Sequence, residues 1–225
     1  MTFSLVARCS QTGMLGVAIA SSSICVASRC PWVRSGVGAS TTQNVTDPSL
    51  GNLMLNYLEE GLNVQEAIDK IIENNKFINY RQLSLIDAKG NSASFTGSKI
   101  LGRHAVSKGV DCIATGNLLS STNVINSMTD NFKKNSNVHF IERLLLALQA
   151  GVDSGGEEGL IHSAGIKVAH ENSWPLVDLR IDWTENNPVA ELIELWNTYK
   201  PQMEDYKSRA TNPDKAPSYG VPGDL

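Results

Sequence analysis

Phe3, Leu5 and Ala7 alternate with Ser4, Val6 and Arg8, the period-2 pattern of a strand that begins almost at the chain start. Gln11-Thr12-Gly13 supplies a turn. In the next strand Leu15, Val17 and Ile19 line one face, and Gly16, Ala18, Ala20 and Ser22 line the other. The second face is too small to fill space, so another element must pack closely against it. Pro31 to Gln43 reads as a further strand pair, with Gly36 and Gly38 again keeping alternate positions small.

The period then changes to that of helices. Asp47 as N-cap, Pro48 at the first helical position, apolar Leu50, Leu53, Met54, Tyr57 and Leu58, and Gly61 as terminator predict one helix. Asn63 with Glu66 forms a capping-box pattern for a second, whose buried stripe is Val64, Ala67, Ile68, Ile71 and Ile72. Leu83 to Asp87 and Ser92 to Phe95 flank a hairpin turn, and another strand runs from about Cys112 to Thr115, ending at Gly116-Asn117. Helices follow at about Thr122–Lys133 and Val138–Ala150, then a strand pair within Ile161–Ala169 and Trp174–Trp183. A last helix runs from Asn187-Pro188 to Lys200. Residues 201–225, with Pro213, Pro217, Gly220, Pro222 and Gly223, read as an extended tail that wraps the domain or contacts a neighbour.

Strands cluster instead of alternating with helices, which argues against a doubly wound sheet. The order predicts an α+β fold of mainly antiparallel sheets with helices on the outer faces, and its count fits a four-layer αββα sandwich over residues 1–200. With 225 residues, 41% hydrophobic and 19% charged, the chain can bury a full core. A formal charge of −4 gives no footing for nucleic acid or an anionic membrane surface. No stretch approaches the roughly 18 uninterrupted apolar residues of a membrane span. The first residues lack the basic-then-apolar order of a secretory leader, so a cytoplasmic location is expected and Asn44-Val45-Thr46 is read as a chance glycosylation pattern. Cys9, Cys25, Cys30 and Cys112 are too few and too irregularly spaced for a disulfide or zinc framework, and read as reduced thiols.

Searches for familiar chemistry fail in turn. Gly36-Val37-Gly38 is followed by a strand, not by a nucleotide-binding helix, and there is no Walker loop, zinc-protease helix or nucleophile elbow. His104, His139, His162 and His170 form no metal-ligand spacing. The N-terminus remains. Thr2 is small enough for Met1 to be removed, which exposes a hydroxyl nucleophile and an α-amine base in one residue. The amine's ordinary pKa of about 7.7–8.0 suits general-base work. A Met-Thr start is common, so the dipeptide alone says little; a strand start beside small-faced strands adds the expectation of a substrate cleft.

Residues 2–8, 12–18 and 31–39 together with Thr42-Gln43 resemble the opening of the domain-of-unknown-function 1028 family, grouped with the N-terminal nucleophile (Ntn) hydrolases. Arg81-Gln82-Leu83, Phe95-Thr96-Gly97, Gly116-Asn117-Leu118-Leu119, Ser163-Ala164, residues 177–182 and 216–224 extend the resemblance over essentially the whole chain. It implies an αββα fold with Thr2 at the nucleophile position; a small-molecule amide substrate, and no metal or organic cofactor, are what a hydrolase working through that residue would be expected to use. Arg34 is then a candidate cation near the nucleophile, or else half of a structural ion pair. Asn117 is a candidate oxyanion donor, or else a turn residue. Ser22, Thr42 and Gln43 are candidates to line the cleft, and Ser163 to bind substrate and orient the amine. Family members carry a basic stretch before Ser163, whereas this chain has Glu157-Glu158, so a shared substrate does not follow. The expected function is hydrolysis of a non-peptide amide through an acyl-enzyme on Thr2, in a homo-oligomer. The alternative is a non-catalytic ligand-binding or assembly protein of the same fold.

Overall fold

A computed structural model describes residues 2–220; Met1 and residues 221–225, with the expectations that fall on them, lie outside the described residues. Among the described residues, ten strands form two antiparallel sheets. The larger contains β1 (Thr2–Arg8), β2 (Leu15–Ser21), β7 (Ala105–Gly109), β8 (Cys112–Asn117), β9 (Ser163–Ala169) and β10 (Val177–Ile181), in the order β10-β9-β2-β1-β8-β7. The smaller contains β3 (Pro31–Arg34), β4 (Gly38–Asn44), β5 (Arg81–Asp87) and β6 (Ser92–Thr96), in the order β3-β4-β5-β6.

Each sheet carries helices on one side, where several of its strands present apolar residues. Leu83, Leu85 and Ala93 bury against α1 (Ser49–Glu59) and α2 (Val64–Asn74). Phe3, Leu5, Ala18, Ala114 and Ile166 bury against α3 (Asn123–Lys134), α4 (Phe140–Asp153) and α5 (Pro188–Tyr199). The opposite faces of the two sheets meet through Val6, Leu15, Val17 and Ile113 from one and Ala39 and Ile86 from the other.

The small face of β2 meets a helix, and it does so on the outer side of its sheet. A Cβ on Gly16 would lie 2.7 Å from Leu144 Cδ1 of α4, so a larger residue there would have to push that side chain aside. The expectation that small residues open a cleft at Thr2 is therefore corrected, because the larger Leu15, Val17 and Ile19 face inward.

Local signals place most boundaries. Asn63 and Glu66 form the capping box of α2, and Asn187 caps α5 with Pro188 at its first position. At α1 the helix begins one residue later than expected, with Asp47 Oδ1 accepting from the Ser49 amide and hydroxyl. The edge strand β7 escaped the sequence pattern because none of its side chains is fully buried and Ala105-Val106-Ser107-Lys108 does not alternate apolar with polar residues. The segment after Tyr199 is not extended throughout: α6 (Met203–Thr211) follows a 3-10 turn, Met203 joins the core, and Tyr206 stacks on Tyr199 with ring centroids 5.9 Å apart.

Candidate functional site

Antiparallel partners point to the same face of a sheet, so register alone builds the site. Thr2 pairs with Asn117 on β8, and Ser21 at the end of β2 pairs with Ser163 on β9. The Thr2 and Ser21 hydroxyls lie 3.3 Å apart. Ser163, Ser21, Thr2 and Asn117 thus form a buried polar row across four neighbouring strands, on the face turned toward the smaller sheet. One step inward, Ser4 and Thr115 make a second polar row, 3.3 Å between hydroxyls.

The smaller sheet answers with Thr41, Gln43, Gln82 and Ser84, all fully buried. Ser4 donates to Gln43 Oε1 at 2.8 Å, and Gln43 Nε2 donates to Gln82 Oε1 at 2.9 Å. Gln82 Oε1 also accepts from Asn117 Nδ2 at 3.2 Å, while its amide donates to the Gly116 carbonyl at 3.1 Å. The two sheets are joined by amides and hydroxyls at one end and by aliphatic side chains at the other. Burial makes every such polar group dependent on a partner. Asn117 Oδ1 and Glu157 Oε1 are among the buried side-chain atoms without a hydrogen bond.

Glu157 is 5% exposed, and its burial pushes the carboxyl up to about 7 against a modest pull from the chain's amino-terminal charge and hydrogen bonds with Ser22. Ser22, expected to line a cleft, donates its backbone N–H to Glu157 Oε2 at 3.2 Å. Ser163 donates to the Ser23 carbonyl at 2.6 Å and accepts from the Val26 amide at 3.2 Å, which pins the loop after β2.

Two expected residues lie elsewhere. Arg34 pairs with Gly38 at the far end of β4, five residues from Gln43, or about 17 Å along the strand. Its guanidinium bonds Glu59 and Asn56 of α1, each at 2.8 Å, so it is the structural ion pair. Thr42 points to the helix side of its sheet and donates to the Asp47 carbonyl at 3.1 Å. Gln43, one position on, faces inward. Sequence reasoning missed Ser21, Gln82 and Glu157. Ser21 was legible as the next inward position after Ile19, but Gln82 and Glu157 required the pairing of distant strands.

Thr2 is 5% exposed. A concavity of about 580 Å³ lies at the other end of β1, lined by residues that include Cys9, Thr12, Asp111, Lys133, His139 and Arg143. Among the described residues no group of His, Cys, Asp and Glu is arranged to hold a metal ion, and no helix is long and apolar enough to cross a membrane.

Residues 2–192 match the model of a family described as "Family of unknown function (DUF1028)". A crystal structure of protein SPO2555 from Silicibacter pomeroyi, assigned to the same family, is 32% identical with a TM-score of 0.82, over 88% of this chain and 89% of that one. Anbu (ancestral beta-subunit) from Yersinia bercovieri aligns at 13% identity and TM-score 0.41, over 91% and 97% of the two chains. An Anbu mutant from Hyphomicrobium sp. strain MC1 aligns at 10% identity and 0.43, over 92% and 100%. No curated protein matches the chain.

Proposed function

The chain belongs to DUF1028, a family of unknown function, and from the polar end of its sheets we propose that it is an N-terminal nucleophile amidohydrolase with an αββα arrangement. The observation that carries this reading is the buried row Ser163, Ser21, Thr2 and Asn117, with the Thr2 hydroxyl at its centre. Removal of Met1 gives that hydroxyl an α-amine on the same residue. Thr2 Oγ1 attacks the carbonyl carbon of a small non-peptide amide while the amine takes the hydroxyl proton. The Asn117 Nδ2 proton not used by Gln82 is available to the developing oxyanion. The C–N bond breaks as the proton passes to the leaving nitrogen, leaving an ester on Thr2. Water, deprotonated by the same amine, hydrolyses the ester and releases the acid. These steps call on no metal or organic cofactor.

Intact-mass analysis of the native protein gives the first test, with loss of the mass of Met1 expected. Thr2→Ala is then expected to abolish turnover across a panel of amides and to leave the thermal transition in place. Retention of Met1 on essentially all molecules overturns the reading. A second reading, a non-catalytic ligand-binding protein, is favoured by the 580 Å³ concavity lying away from a buried Thr2. It predicts a mature protein that binds a small ligand stoichiometrically and turns over none of the amides.

A further inference from the structure

β8 ends at Asn117, opposite Thr2, and the chain turns there through Leu118 at φ +51° before running on past the start of β1. Thr2 pairs with Asn117, and two residues farther on Leu119 is bridged in antiparallel fashion by Glu157. The Glu158 amide bonds the Leu118 carbonyl at 2.9 Å, and the Ser120 amide bonds that of Gly156 at 3.1 Å. The segment at 156–158 therefore pairs with the residues that follow β8, close to the amino end of β1. Gly155 and Gly156, with φ of +109° and +55°, make the turn that brings it there. From the other flank, the Ser22 amide holds Glu157 Oε2 at 3.2 Å, one residue past the serine that touches Thr2. The carboxylate is thus anchored near the amino end of β1 between the segments that follow β8 and β2.

Its second oxygen, Oε1, is buried and accepts nothing. A buried carboxylate oxygen without a donor is costly, and a cationic N–H would relieve the cost. Arg103, on the neighbouring segment, is 3.8 Å from Glu158 and donates to the Leu119 and Ser120 carbonyls instead. We propose that Glu157 is the partner of the Thr2 α-amine created by Met1 removal, with Oε1 accepting an amine hydrogen and turning the nitrogen lone pair toward the Thr2 hydroxyl. The inference rests on Thr2 as the mature N-terminus. Glu157 is a positioning residue: it sets the amine's orientation and proton affinity, and the amine performs the proton transfer. The raised carboxyl fits this role, because an adjacent ammonium would hold it ionised.

The test measures the α-amine pKa of the mature protein by reductive methylation with 13C-formaldehyde followed by NMR titration. Removing an adjacent carboxylate charge is expected to lower the amine pKa by about 1–3 units in Glu157→Gln. Glu157→Asp restores part of the shift, and both variants retain the wild-type thermal transition to within a few degrees. If the mature wild type turns over an amide, the acidic limb of kcat/KM moves down by the same amount in Glu157→Gln. An amine pKa unchanged in Glu157→Gln overturns the assignment even where turnover is present. A shifted amine pKa without turnover in the wild type supports Glu157 and refutes the hydrolase. Retained Met1 overturns both.

Discussion

Replacing Gln82 with leucine tests whether the polar end of the sheets is held together as a network. Gln82 is fully buried and links both sheets through Gln43 Nε2, Asn117 Nδ2 and the Gly116 carbonyl. Leucine keeps the volume and deletes every partner at once. Each orphaned buried group costs about 1–3 kcal/mol, offset in part by the apolar surface that leucine buries. The net loss is about 3–5 kcal/mol, a fall in Tm of about 10 °C for a domain of this size. Urea titration of the wild type, Gln43→Leu, Gln82→Leu and the double variant closes a mutant cycle. The double variant is expected to cost at least about 1 kcal/mol less than the sum of the singles, because it removes the Gln43–Gln82 pair without stranding either member. A loss under about 1 kcal/mol in Gln82→Leu, or strictly additive costs, would refute the network.

Arg34→Ala removes an ion pair whose Glu59 partner is mostly exposed, so stability is expected to change by under about 1 kcal/mol and amide turnover not at all, as urea titration and kinetics check. Burial raises the Cys112 thiol to about 11 and pushes Cys30 up as well, so iodoacetamide at pH 8 is expected to modify the half-exposed Cys9 and Cys25 first, read by peptide mapping. The Glu157 carboxyl is raised in the folded state, which then binds more protons than the unfolded chain between pH 4.5 and about 7. In the chain carrying Met1, this contribution to stability is full below pH 4.5 and is lost as pH rises through about 7, by about 3 kcal/mol. Glu157→Gln is expected to abolish this slope in urea titrations across that range, and parallel slopes would refute the burial argument.

Much of the framework is written locally. The capping box at Asn63, Pro188 after Asn187, and the hairpin loop between Asp87 and Asn91 each carry their own turn or cap chemistry, and these elements appear where the residues put them. What fails is information that lives between elements. Arg34 sits in the right strand, but only the β3–β4 register shows that it closes the far end of the hairpin and bonds α1. Thr42 and Gln43 are adjacent and similar in polarity; which one faces inward is fixed by β5, forty residues away. The helix α6 was hidden by flanking prolines and by its strongly polar composition, with Met203 its one buried residue.

The inward faces of the two sheets also explain why the site escapes a search by hydrophobic pattern. Val6, Val17 and Ile113 obey the rule that inward positions are apolar, whereas Ser4, Ser21 and Thr115 occupy the same faces farther along and are equally buried. Read as alternation, β1 even inverts its sense, because the polar residues of its first half point into the protein. Aliphatic side chains at these positions would bury without needing partners, so stability alone gives no reason for the polar ones. Their placement at one end, converging on Thr2 and on the two unsatisfied oxygens of Asn117 and Glu157, is the kind of local conflict expected where a fold gives up packing for chemistry.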